Sequence, residues 1–80
     1  MDNDLRTAVR LLQEGDWRAA HEIVQNDEES RLSCWAHGIV HIMEGDLPNA
    51  RYWYRVAGRA FPRQPSAKDE IAALSASLEA

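Results

Sequence analysis

Trp35-Ala-His-Gly-Ile-Val-His-Ile-Met-Glu-Gly-Asp-Leu-Pro-Asn-Ala-Arg-Tyr-Trp-Tyr-Arg55 reads as one helix, a tight turn and a second helix. The first of these, from about Arg31 to Glu44, carries Leu32, Trp35, Ala36, Ile39, Val40, Ile42 and Met43. Those positions cover more than half of its circumference, so the helix is expected to be contacted on several sides. Gly38 inside it costs ~1 kcal/mol against Ala, which a close helix crossing explains. Gly45 suits the left-handed residue that ends a helix, Asp46 caps the next one, and Pro48 is tolerated in its first turn. The following helix is expected from Leu47 to Arg59. Leu47, Ala50, Trp53, Tyr54, Ala57 and Phe61 form its apolar side, and Arg51, Arg55 and Arg59 form a stripe on consecutive turns.

Working outward, the same design occurs earlier. Leu5, Ala8, Val9 and Leu12 recur at helical spacing between Asn3 and Glu14. Gly15-Asp16 then repeats the stop and cap before a helix from Trp17 to Gln25, whose inner positions are Trp17, Ala20, Ile23 and Val24. Asn26-Asp-Glu-Glu-Ser30 is a polar connection ending in a cap. Phe61-Pro-Arg-Gln-Pro65 cannot continue a helix. Ser66-Ala-Lys-Asp69 resembles a capping box that opens a fifth helix with Ile71, Leu74 and Leu78 on one face. No strand pattern competes. The expected fold is all-α: two antiparallel helical hairpins, at about 3–26 and 31–60, with a capping helix at about 67–79, in one domain spanning 1–80.

Eighty residues give only a small core. Domains near this size are often completed by oligomerisation, so a homodimer is expected. No run approaches the ~20 apolar residues of a bilayer span, and Met-Asp-Asn-Asp lacks the apolar core of a secretory signal. Cys34 is alone, so no internal disulfide forms and a cytoplasmic location fits. The net charge of −4 argues against nucleic-acid binding. The charge is unevenly spread: Leu47 to Lys68 holds no Asp or Glu but contains Arg51, Arg55, Arg59 and Arg63.

Gly15-Asp16-Trp17-x-x-Ala20 and Gly45-Asp46-Leu47-x-x-Ala50 stand 30 residues apart, and such self-similarity marks helical-hairpin arrays. The chain resembles the tetratricopeptide (TPR) repeat, with some likeness to the related Sel1-like type in Ala50-Arg-Tyr-Trp-Tyr-Arg-Val-Ala57. Gly38, Gly45, Asp46, Ala50, Tyr54, Ala57 and Pro62 match the family's small, turn, aromatic and terminating positions. The first copy departs at Val24 and Asp27, and the spacing is shorter than the family's period of about 34 residues. The chain is also similar to small bacterial proteins with a Trp-x-His…Glu-Gly-Asp…Asn-Ala-x-Tyr-Trp-Tyr-Arg pattern. The TPR resemblance implies a right-handed array and a non-enzymatic protein–protein interaction module without a cofactor. Its protein or peptide partner would lie in a groove containing Leu5, Val9, Leu12, Trp35, Ile39, Ile42 and Met43. Such an apolar surface must be covered by the last helix, a second copy or a partner.

Three groups of residues carry candidate chemistry. Cys34, His37, His41 and Glu44 share one helical stripe, a geometry that can present metal ligands, which gives the alternative of a small-ligand or metal-binding protein. His21, beside Glu22, has no nucleophile motif near it and reads as a surface histidine. Arg51, Arg55 and Arg59, with Tyr52 beside them, form a guanidinium ladder suited to an anion or acidic partner. Among the aromatics, Trp35 and Trp53 lie near the edges of their apolar arcs and are the two expected to reach a partner.

Overall fold

The structure is a computed structural model that describes residues 2–79; Met1 and Ala80, the ends of the expected domain, lie outside the described residues. Five helices follow along the chain: α1 (Asp2–Gln13), α2 (Trp17–Val24), α3 (Arg31–Glu44), α4 (Leu47–Ala57) and α5 (Ala67–Glu79). No strand occurs among the described residues, so the protein is all-α as the periodicity requires.

The expected helix starts are made by side chains that accept otherwise unsatisfied backbone N–H groups. Asp16 accepts from Ala19, Ser30 from Ser33, Asp46 from Asn49 and Ser66 from Asp69, at 3.2–3.3 Å. Gly15 and Gly45 take φ of 84° and 90°. A third left-handed glycine corrects the expected end of α4. Gly58, at φ 75°, caps the helix after Ala57. Arg59 therefore lies off the helix.

α3 is the centre of the molecule, with each of the other four helices packed against it. Every residue from Ser33 to His41 is buried. A helix surrounded in this way explains why polar His37 and His41 occupy packing positions. α2 and α4 flank α3 without approaching each other, and α5 runs beside α1 and α3. α5 thus covers the face on which a groove was expected. Leu5, Val9, Leu12, Trp35 and Ile39 are core residues beneath it, while Ile42 and Met43 are half-buried. Leu12 and Met43 also line a groove of about 470 Å³ with Ala67, Lys68 and Ile71, near the start of α5.

Gly38 marks the expected close crossing. A Cβ at this position would lie 2.6 Å from Tyr54 Cε1 and 3.3 Å from the Ala50 carbonyl oxygen. Gly38→Ala is expected to lower the unfolding free energy by about 1–3 kcal/mol through overpacking. That outcome opposes the ~1 kcal/mol that Ala contributes by helix propensity. Urea denaturation measures the balance, and a stabilised variant would mean that α4 moves aside freely.

Candidate metal centre

His37 and His41 stand one turn apart on α3, as their spacing requires, with ring centroids 5.1 Å apart. The gap between α2 and α4 brings a third imidazole to them. His21 of α2 lies 4.8 Å from the His37 ring and 5.4 Å from the His41 ring, edge-on to both. One donor nitrogen from each of the three falls within 4.8 Å of the others. The expectation of a surface histidine at 21 is corrected: it is half-buried and belongs to this cluster.

Each ring is held differently. The His41 Nδ1 lies 2.8 Å from Glu44 Oε1. A carboxylate only accepts, so Nδ1 donates in this bond and Nε2 is the nitrogen that would be left for a metal. Trp53 stacks on His37 at 3.9 Å between centroids and 10° between planes, which fixes the plane of that ring. His37 is 4% exposed, and its buried Nδ1 has no hydrogen-bond partner in the protein. Burial, and then the neighbouring His21 and His41, lower its pKa from 6.5 to about 4. A low-dielectric site beside two other imidazoles disfavours the charged form of this ring. At neutral pH His37 is therefore an uncharged base with an available electron pair.

The remaining members of the expected metal stripe separate. Cys34 is buried at the other end of α3, with its Sγ 3.3 Å from the Glu28 carbonyl oxygen. Burial, then Asp27 and Glu28, raise its thiol pKa. The thiol is accordingly a poor source of thiolate, and it leaves the proposed ligand set. Glu44 stands behind His41 as its hydrogen-bond partner.

The arginine ladder also divides. Arg51 lies 5.3 Å from the Phe61 ring centroid, and Arg59 sits 3.4 Å over Trp35. Arg55 is exposed on α4, and Tyr52 turns its ring edge-on to Trp53. The three guanidinium groups thus do not converge on one anion. Trp35 is 1% exposed, contrary to the expectation that it reaches a partner. Its Nε1–H donates to Glu70 Oε1 at 3.1 Å, and the Tyr54 hydroxyl donates to the same oxygen at 2.5 Å. Trp53 is half-buried and faces the histidines rather than solvent alone.

Three imidazoles, one oriented by a carboxylate and one by an indole, make a donor set of intermediate softness. Such a set suits zinc, copper, cobalt or nickel in the divalent state. A tetrahedral ion with ~2.0–2.1 Å bonds draws its nitrogens to roughly 3.4 Å of one another. No helix among the described residues is long and apolar enough to cross a membrane. No protein-family model, curated protein or solved structure matches the chain.

Proposed function

We propose that this protein binds one divalent transition-metal ion through His21, His37 and His41. The observation that carries the reading is the convergence of three imidazoles from two helices, one of which, His37, also has a buried Nδ1 without a hydrogen-bond partner in the protein. Buried polar atoms without partners are rare, and a bound ion or water is one recognised reason for them. The Glu44–His41 bond supplies the carboxylate–imidazole pairing that commonly orients metal ligands. Because the ion ties α2 to α3, its binding free energy would add to folding free energy.

Tag-free protein loaded with zinc and dialysed is expected to retain one ion per chain by elemental analysis. His21→Ala, His37→Ala and His41→Ala should each abolish retention. Glu44→Ala should weaken affinity by roughly 10–100-fold while leaving the stoichiometry at one. Retention far below one ion per chain in the wild-type protein, or equal retention in the His21→Ala variant, would remove the reading.

A second reading keeps the TPR-like interaction module but moves its contact surface. Among the described residues Tyr52 and Val56 are the exposed large hydrophobics, at 52% and 41%, and both lie on α4 with Arg55 between them. An aromatic beside an exposed guanidinium is a common composition for a contact centre. If this face joins two copies, light scattering should give a dimer that Tyr52→Ser with Val56→Ser converts to a monomer. An unchanged molar mass in the double variant rejects self-association through this face.

A further inference from the structure

We infer that the three-histidine centre leaves one coordination position open to the α2–α4 gap and takes a small monodentate anion there. The inference rests on the metal-binding reading above and concerns what completes the shell.

Its first support is a count of donors. Only His21, His37 and His41 form the triad among the described residues. Each neighbouring donor has another task. Glu44 is committed to His41 Nδ1 at 2.8 Å. Asp46 groups with His41 and Glu44 rather than with His21 and His37, and its Oδ1 caps α4 by accepting the Asn49 N–H at 3.3 Å. Cys34 Sγ faces the Glu28 carbonyl. Structural zinc sites are closed by four protein ligands, whereas sites with three keep a position for water or another exogenous donor.

The second support is access. α2 and α4 make no contact with each other across α3, and His37 and His41 lie buried between them. His21 on one side and Trp53 on the other are both only half-buried. The route by which an outside donor would reach the cluster is therefore past these two partly exposed side chains.

The third support is charge. Imidazole ligands carry no charge of their own, so three of them leave the full charge of a divalent ion uncompensated in the first shell. Glu44, behind one ligand, and Asp46 beside it offset part of that charge from outside the first shell. In a partly desolvated site an anion is favoured over water by this residual charge. Exchange is simple ligand substitution: the anion's lone pair replaces that of a bound water, which leaves intact, with no redox change.

The test uses the full chain loaded with cobalt(II), whose visible absorption responds to coordination number, and sodium azide as the probe. Azide is expected to shift the bands saturably with one anion per cobalt, and His21→Ala should lack the parent spectrum. Cobalt bands that ignore azide would overturn the open position while leaving metal binding in place. A cobalt-dependent dimer with azide-insensitive bands would overturn it too, because a second chain would then supply the fourth donor. Failure to take up cobalt, zinc or copper at all would overturn both readings together.

Discussion

Replacing Glu70 by Ala is expected to lower the unfolding free energy by about 2–4 kcal/mol, since one carboxylate oxygen satisfies two buried donors. The Trp35 Nε1–H and the Tyr54 hydroxyl both point to Glu70 Oε1, and both residues are 1% exposed. Removing a shared acceptor leaves two donors buried without partners, at about 1–3 kcal/mol each. Burial and the nearby carboxylate push the Tyr54 pKa far above its usual value, so it remains a phenol and a donor across the accessible pH range. Glu70→Gln keeps an acceptor of the same shape and should cost much less than Ala. The loss should also be local at first. Ile71 and Leu74 are the buried residues of α5, so this helix has little else to hold it. Amide exchange in α5 is expected to quicken in Glu70→Ala before exchange in α3 does. Uniform acceleration across all five helices, or a Gln variant as damaged as the Ala variant, would show that the shared oxygen is not what secures α5.

The second large effect concerns acid. His37 has a folded-state pKa of about 4 against 6.5 when unfolded. Between these values the unfolded chain binds more protons than the folded one, so the stability tied to this group is complete above about 6.5 and is lost as pH falls towards about 4. The span corresponds to on the order of 3 kcal/mol for the metal-free protein. Denaturation in the presence of a chelator at a series of pH values measures it. His37→Phe, which keeps an aromatic ring for Trp53 to stack on, should flatten this part of the curve. The carboxylates titrate in both proteins, so the quantity to read is the difference between the two profiles. Parallel profiles would falsify the assignment of the acid sensitivity to His37.

Much of the fold was legible in the sequence because its signals are local. Gly45-Asp46 announces a left-handed stop and a cap within two residues, and the structure has both. The Gly38 crossing was legible too, because a glycine inside so apolar a helix needs a neighbour that excludes Cβ. The end of α4 was not. Arg59 continues the four-residue spacing of Arg51 and Arg55, which disguises Gly58 as a helical residue when it is the left-handed cap.

The candidate site was half legible for the same reason. His37 and His41 stand one turn apart on one helix, so their spacing reveals them. His21 comes from α2, sixteen residues before His37, and nothing around it marks it as a partner. The Glu70 oxygen shared by Trp35 and Tyr54 likewise joins three helices, and no local pattern encodes such a meeting. Cys34 was drawn into the stripe by spacing alone. Its thiol turns towards the Glu28 carbonyl at the opposite end of α3.

The stacking of Trp53 on His37 at 3.9 Å gives the centre an optical consequence. Protonated imidazole and open-shell metal ions both quench an indole excited state on contact, whereas zinc does not. Emission from this residue should therefore dim when copper(II) enters and recover when a chelator removes it. Trp17 and Trp35 are occupied by Arg18 and Arg59, whose guanidinium groups lie 5.2 Å and 3.4 Å from their ring centroids. Their light forms a background that Trp53→Phe isolates by subtraction. The contact that fixes the plane of the His37 ring would thus make the protein its own indicator of any ion the histidines bind.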